Sequence, residues 1–219
     1  MQLEIGVIAM QGAFREHCAM LERCGAHAVE IRKAPDPADR RFAGLNRLDG
    51  IVIPGGESTV IGSMLEKHSL LGPIRECGLS GMPIYGSCAG LILLCSQVEN
   101  GNGERLGQPR LGLLNATVRR NAFGRQVDSF TGTLHVRHVG PDIEAVFIRA
   151  PIITECAPEV EILATTCLHG TDYPVAVRQG SILATSFHPE LTEDTRFHSF
   201  FLSMCQPRPT SSSIDGSLG

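Results

Sequence analysis

Short apolar segments alternate with segments of helical periodicity along the first half of the chain. Residues 50–53 form a continuous apolar run that stops at Pro54-Gly55-Gly56, and residues 13–23 carry apolar side chains at helical spacing. A strand that is apolar on both faces is typical of a parallel sheet covered by helices on each side. The alternation therefore predicts an α/β fold of three layers, built on a mostly parallel, doubly wound sheet.

The boundaries of the predicted elements follow from the same patterns. The predicted strands of the first half are residues 4–10, 28–32, 50–53 and 82–85. The predicted helices are residues 13–23, a helix opened by Ser58 or Thr59 that ends near Lys67, a helix containing residues 74–77, and residues 89–97. Residues 35–38 are a predicted loop.

The second half is richer in β-forming runs and turn residues. These runs predict antiparallel strands added to the sheet, at residues 113–118, 129–136, 145–148, 160–167, 173–177 and 182–186. A polar loop (99–109) precedes them, and turns are predicted at Gly140-Pro141-Asp142 and at 169–172. A last helix is predicted over 192–205, capped by Thr192. We expect one domain over residues 1–205 and a disordered tail, rich in Pro, Ser and Gly, over 206–219.

The composition argues against several classes of function. The chain of 219 residues has a formal net charge of −4, which gives it no general attraction to nucleic acids or anionic membranes. No segment approaches the length of a transmembrane helix, and the N-terminus lacks the basic region of a signal peptide. The eight cysteines show no metal-ligand spacing, so we expect reduced thiols, a cytoplasmic protein and no metal site.

The stretch Gly86-Ser87-Cys88-Ala89-Gly90 lies where a predicted strand passes into a predicted helix. Glycine on both sides of a cysteine resembles the nucleophile elbow, in which a strained turn presents the reactive side chain at the strand end. We expect Gly86 to allow the sharp turn and Gly90 to allow close packing of the helix. The alternative is a buried structural thiol, since free cysteine is commonly buried.

A cysteine nucleophile needs a base, and His188 is the best candidate. It ends an apolar strand and is followed by Pro189 and Glu190. Residues i and i+2 of an extended segment point the same way, so Glu190 can orient the imidazole as the third member of a triad. His188 and Cys88 then lie at the same edge of a parallel sheet.

The other histidines have no such partners. His17, His27 and His68 are expected to be surface or satisfied residues. His135 and His138 lie three residues apart on a strand-like run, which places them on opposite faces and argues against a metal pair.

The stretch 54–59, PGGEST, follows another predicted strand end. Consecutive glycines free backbone N–H groups to bind an anion, so Gly56 and Ala89 could supply the two donors of an oxyanion hole. The alternative is an ordinary strand–helix turn capped by Ser58. A phosphate-binding loop is disfavoured because the Walker pattern and its lysine are absent.

Taken together, GSCAG and FHPE resemble the signatures of class I glutamine amidotransferases. The glutaminase subunits of pyridoxal 5′-phosphate synthases are similar over more of the chain, in segments 6–17, 54–59, 120–130, 147–151 and 186–198. The segments RNAFGRQ and FIRAP are specific to that family. Departures are small: Ser87 stands where threonine is usual and keeps its hydroxyl, and Met10 stands where leucine is common.

The resemblance implies a three-layer, flavodoxin-like α/β domain that hydrolyses L-glutamine to glutamate and ammonia. It implies that Cys88 attacks the side-chain amide to form a thioester, that His188 moves the protons, and that Glu190 orients His188. Gly56 and Ala89 would cradle the oxyanion. The implied substrate-binding residues are Gly56, Glu57, Ser58, Arg120, Ile148 and Arg149. Among them, Glu57 would bind the ammonium group and Arg120 the α-carboxylate.

The resemblance also implies a partner, a synthase subunit of (β/α)₈-barrel type that receives the ammonia without release to water. Pyridoxal phosphate would be the product of the pathway, so no cofactor is expected in this chain. We expect Gln11-Gly12 to belong to the partner interface, and docking to complete the Gly55-Gly56 loop. The alternatives are the glutaminase of another amidotransferase, a non-hydrolytic thiol protein of the same fold and, least favoured, a cysteine peptidase.

Overall fold

The computed structural model describes residues 2–33, 44–120, 129–168 and 170–206. The strands of these residues are β1 (Glu4–Ile8), β2 (His27–Ile31), β3 (Gly50–Ile53), β4 (Ile84–Ser87), β5 (Cys95–Glu99), β6 (Leu114–Arg119), β7 (Ser129–Val136), β8 (Gly140–Ile148), β9 (Ile152–Cys156), β10 (Glu161–Leu168), β11 (Thr171–Gln179) and β12 (Ile182–Thr185). The helices are α1 (Phe14–Arg23), α2 (Ser58–Lys67), α3 (Leu71–Leu79), α4 (Ala89–Leu94) and α5 (Arg196–Met204), with short 3₁₀ turns at Leu45–Arg47 and Pro189–Leu191.

Seven strands form the main sheet, in the order β10-β11-β12-β4-β3-β1-β2. The neighbouring pairs from β12 to β2 are all parallel, whereas β10 and β11 are added antiparallel strands at one edge. The predicted α/β class with a mostly parallel sheet is therefore confirmed. Two smaller sheets, β5-β6-β9 and the hairpin β7-β8, complete the strand arrangement of the described residues.

Apolar side chains fill both faces of the main sheet. On one face, α2, α3 and α4 pack in a cluster that includes Ile53, Ile61 and Leu91. On the other face, α1, α5 and the β7-β8 hairpin share a cluster that includes Phe147 and Phe197. These fully buried strands are the reason for the continuous apolar runs of the sequence. None of the described helices has the length and hydropathy needed to span a bilayer.

The structure corrects several predicted boundaries. The helix after Cys88 ends at Leu94, because Cys95 is extended and begins β5, which pairs with β6. Strand β9 has no counterpart among the predicted elements. The predicted turn at 140–142 lies inside β8, and the chain instead turns at 137–139.

The predicted cap of the last helix is wrong, whereas the predicted start of α2 is confirmed. The final helix begins at Arg196, and the Thr192 hydroxyl donates a hydrogen bond to the Pro189 carbonyl instead of capping that helix. Helix α2 does begin at Ser58, but its cap is the side chain of Glu57, which accepts a hydrogen bond from the Val60 N–H at 2.9 Å. The predicted loop 35–38, His169 of the predicted turn, most of RNAFGRQ, and the tail from 207 lie outside the described residues.

Candidate active site

Four adjacent parallel strands, β12, β4, β3 and β1, end at the same edge of the main sheet. A cavity of about 540 Å³ opens there. The predicted site residues that line it are Gly56, Glu57, Ser58, Cys88, Arg120, Ile148, Arg149 and His188. The other two, Ala89 and Glu190, are buried next to it, with 0% and 4% of their surface exposed. The structure thus brings all the predicted site residues to one place.

Cys88 stands between the end of β4 and the first residue of α4. Its φ of 47° lies in the left-handed region, which is strained for a residue other than glycine. The flanking glycines allow close approach: a Cβ on Gly86 would lie 2.5 Å from the backbone of Gly90, and a Cβ on Gly90 would lie 2.1 Å from the Ile53 carbonyl oxygen. The clash at Gly86 agrees with the expectation that a glycine there allows the sharp turn, and Cys88 itself adopts the positive φ.

His188 follows β12, and its backbone N–H donates a hydrogen bond to the Val146 carbonyl at 2.8 Å. Its Nδ1 lies 2.7 Å from Glu190 Oε1, and because a carboxylate only accepts, Nδ1 carries the proton. Cys88 and His188 line the same cavity. Burial alone would lower the pKa of His188, but the hydrogen bonds and charges of Cys88 and Glu190 outweigh burial and raise the pKa to about 10. The imidazolium form, which can stabilise a thiolate, is favoured at neutral pH.

Glu190 is buried behind His188. Burial alone would raise the pKa of its carboxyl group, but interactions with His17 and His188 outweigh burial and hold that pKa well below its usual range. His17 Nε2 lies 3.4 Å from Glu190 Oε1 and 2.9 Å from Ser87 Oγ, and His17 Nδ1 lies 3.0 Å from His198 Nε2. His17, expected from the sequence to be a surface or satisfied residue, and His198, for which the sequence carries no such signal, are both 0% exposed beside the site.

The Gly55–Gly56 turn follows β3. The Gly55 carbonyl accepts a hydrogen bond from the Ala13 N–H at 3.2 Å. Since the carbonyl and N–H of one trans peptide point in opposite directions, the Gly56 N–H points away from Ala13. Gln11 Oε1 accepts a hydrogen bond from the Glu57 N–H at 2.8 Å, so the end of β1 holds this turn in place.

Charged and polar side chains form the opposite wall of the cavity. Arg120 follows β6 and donates to Glu57 Oε1 at 2.6 Å and to Gln108 Oε1 at 2.9 Å. Burial would raise the pKa of Glu57, but hydrogen bonds from Thr59 and Val60, together with the charge of Arg120, lower it. The amide of Gln108 reaches Ser58 Oγ at 3.3 Å. Gln108 is a residue that the sequence analysis did not single out.

Ile148 ends β8 and Arg149 follows it, and both line the cavity near Cys88. The Cys88 thiol lies 4.0 Å from the Ile148 carbonyl oxygen. Arg149 has a φ of 44°, so the backbone makes a left-handed turn where it enters the cavity wall. This conformation presents backbone groups as well as the side chain.

The remaining histidines of the sequence analysis lie elsewhere. His27 and His135 are exposed, His68 is partly exposed, and His138 contacts Glu161 Oε1 at 2.9 Å on the surface. No group of three or more His, Cys, Asp or Glu residues in the described part of the chain could hold a metal ion. The chemistry that the site can carry out with its own residues is acyl transfer to a thiol, assisted by a histidine base.

Comparison with known proteins identifies this chemistry more closely. A model of the SNO glutamine amidotransferase family matches residues 7–207. The pyridoxal 5′-phosphate synthase subunit PdxT of Moorella thermoacetica is 50% identical over 203 residues, which are 92% of this chain and 99% of that protein. The PdxT of Parafrankia sp. is 51% identical over 199 residues, which are 90% of this chain and 91% of that protein.

A solved structure supports the same relationship. It is described as a glutamine amidotransferase, is 44% identical to this chain and superimposes with a TM-score of 0.79. The alignment covers 91% of this chain and 97% of that one. The family and the fold predicted from the sequence are thus confirmed. The chain belongs to the SNO glutamine amidotransferase family.

Proposed function

We propose that this chain is the glutaminase subunit of a pyridoxal 5′-phosphate synthase and hydrolyses L-glutamine to L-glutamate and ammonia. The observation that carries the proposal is the arrangement of Cys88, His188 and Glu190 at the edge of the main sheet, where Cys88 and His188 line one cavity and Glu190 is hydrogen-bonded to His188, in a member of the glutamine amidotransferase family. A sensor thiol would need no buried carboxylate to orient its neighbouring histidine. The PdxT relatives support the assignment to a pyridoxal phosphate synthase.

The mechanism begins when the Cys88 sulfur attacks the side-chain carbonyl of glutamine. His188 takes the thiol proton before this attack and holds it as the imidazolium, then gives it to the leaving ammonia, and the enzyme is left with a glutamyl thioester. His188 next activates water, which hydrolyses the thioester and releases glutamate. Glu190 keeps the imidazole in the tautomer whose Nε2 faces the thiol. The N–H groups of Gly56 and Ala89 stabilise the negative charge on the tetrahedral intermediates.

Recognition of free glutamine requires one group that binds its α-ammonium and another that binds its α-carboxylate. Glu57 binds the ammonium group and Arg120 the α-carboxylate, and these two interactions replace the 2.6 Å contact between the two side chains. Ser58 and the Ile148-Arg149 backbone complete the site on either side. Gln108 holds Arg120 from behind, through its 2.9 Å hydrogen bond, and so limits where the α-carboxylate can lie.

The ammonia is delivered to a partner, the synthase subunit of (β/α)₈-barrel type. We place the partner interface at the mouth of the cavity, where Gln11 and Gly12 form part of the lining. Contact of the partner with Gln11 would act directly on the Gly55–Gly56 turn, because Gln11 Oε1 accepts a hydrogen bond from the Glu57 N–H. We also propose a cytoplasmic location, supported by the eight cysteines, all of which are free thiols.

The test is glutamate release with and without the pyridoxal 5′-phosphate synthase subunit. We expect strong stimulation by the partner, and equal rates would contradict the partner proposal. Cys88→Ala should abolish glutamate release and leave docking intact. Cys167→Ala, which removes an exposed thiol on β10 away from the cavity, is the matched control and should keep full activity. Turnover that persists in Cys88→Ala would show that the nucleophile is another residue.

A further inference from the structure

A buried polar cluster lies behind the triad, on the side of Glu190 away from the cavity. It consists of Ser87 at the end of β4, His17 on α1 and His198 on α5, all with 0% of their surface exposed. His17 links the cluster, with Nδ1 3.0 Å from His198 Nε2 and Nε2 2.9 Å from Ser87 Oγ. The mechanism described above uses none of these three side chains.

Within the cluster, His198 donates a hydrogen bond to His17, and the surroundings of His198 show why. Burial disfavours a charged ring and lowers the pKa of His198 to about 3, so His198 is a neutral ring with one N–H. In the part of the chain that the structure describes, His198 Nδ1 has no hydrogen-bond partner. A proton on Nδ1 would therefore be a buried donor without an acceptor, whereas a proton on Nε2 is donated to His17 Nδ1. His17 Nδ1 then accepts, so the N–H of His17 is on Nε2.

That N–H faces the triad carboxylate. His17 Nε2 lies 3.4 Å from Glu190 Oε1, and Ser87 Oγ lies 3.5 Å from the same oxygen. His188 Nδ1 contacts this oxygen as well, at 2.7 Å, whereas Glu190 Oε2 has no hydrogen-bond partner among the described residues. The orientation of the carboxylate thus depends on the groups around Oε1, which are His17, Ser87 and the catalytic imidazole.

We propose that His17 is a positioning residue for Glu190, and that His198 fixes the tautomer in which His17 donates towards Glu190 and Ser87. The proposal rests on the glutaminase function proposed above. Without the donor on His17, the carboxylate can rotate and exchange its two oxygens, so it holds His188 less well for proton transfer. Because the cluster does not touch the cavity, its effect falls on the chemical step and not on glutamine binding.

The kinetic test compares two substitutions of His17, one that removes the N–H donor facing Glu190 and one that keeps it. His17→Leu removes this N–H, and His17→Gln keeps an N–H near the position of Nε2. Assayed in the complex with the synthase subunit, His17→Leu should lower kcat roughly 10- to 100-fold, the effect of losing a hydrogen bond to a charged group, with KM little changed. His17→Gln should recover most of the loss. Tyr85→Phe is the control, since it keeps the ring that packs on both imidazoles and removes only a hydroxyl bonded to Thr185.

The outcomes separate this proposal from the proposed function. Wild-type kcat in His17→Leu, or equal losses in His17→Leu and His17→Gln, would overturn the positioning role. A wild-type complex that releases no glutamate would instead contradict the glutaminase function. A second measurement needs no variant and no activity: ¹⁵N NMR of the histidine side chains should show His198 as the neutral Nε2–H tautomer. An Nδ1–H tautomer, or a charged ring at neutral pH, would overturn the assignment of His198 as the donor to His17.

Discussion

Replacement of Gly90 by alanine tests how closely α4 must approach the main sheet. A Cβ at this position would lie 2.1 Å from the Ile53 carbonyl oxygen and 3.0 Å from its carbonyl carbon. Ordinary contacts of a Cβ begin near 3.4 Å, so α4 must move away from β3 by about 1 Å. The obstacle is backbone in a fully buried strand and cannot rotate aside. Overpacking of this kind costs about 1–3 kcal/mol of unfolding free energy.

The same displacement also moves the nucleophile, because α4 begins at Ala89, directly after Cys88. A shift of about 1 Å in a reacting group can reduce turnover by about 10²-fold. We therefore expect Gly90→Ala to lose about 1–3 kcal/mol in urea unfolding and about 10²-fold in kcat, measured as glutamate release in the synthase complex. Arg120, which we propose binds the α-carboxylate, lies on another element, so KM should change much less.

The control for this substitution is Gly107→Ala. Gly107 lies in an exposed loop, and a Cβ there would meet nothing within 4 Å. Its unfolding free energy should stay within about 0.5 kcal/mol of the wild type, as for surface substitutions in general. Wild-type stability together with wild-type kcat in Gly90→Ala would refute the reasoning, since it would mean that α4 can move without disturbing Cys88.

Two further predictions concern charge. Arg120→Ala should raise the KM for glutamine roughly 10- to 100-fold with a smaller effect on kcat, because a charge-assisted contact to the substrate is lost. The control is Arg178→Ala on β11, which should leave KM unchanged. An unchanged KM in Arg120→Ala would remove Arg120 from the binding site. The pKa of His188 is raised from 6.5 to about 10, so the stability that His188 gains from its partners is fully present below pH 6.5 and is lost as the pH rises to about 10. The difference in unfolding free energy between wild type and His188→Gln should therefore shrink over that range, and a constant difference would refute the raised pKa.

The main features of the site could be predicted from local patterns because parallel strands bring their ends together. GSCAG, HPE and PGGEST each follow an apolar strand, and the topology of a parallel sheet then places Cys88, His188 and Gly56 at one edge. No knowledge of long-range packing is needed for that step. The relation of His188 to Glu190 is also local, because residues i and i+2 of an extended chain face the same way.

The cluster behind the triad could not be predicted in this way. His17 and His198 are 181 positions apart, and their contact exists only because α1 and α5 pack on the same face of the sheet. The end of α4 is a second example. Residues 91–98 are compatible with either a helix or a strand, and the pairing of β5 with β6 decides between them. The contact of Arg120 with Glu57, 63 positions apart, likewise depends on the position of the smaller sheet.

The cavity is assembled from all three sheets, so different sheets hold the groups that line it. Cys88 and His188 follow strands of the seven-stranded sheet, whereas Arg120 follows β6 of the three-stranded sheet and is fixed there by a 2.9 Å hydrogen bond to the Glu99 carbonyl. A substitution that shifts the three-stranded sheet would move Arg120, the group proposed to bind the α-carboxylate, while Cys88 and His188 stay on the main sheet. In evolutionary terms, the contact with the α-carboxylate can change separately from the nucleophile and its base, because a different sheet holds Arg120.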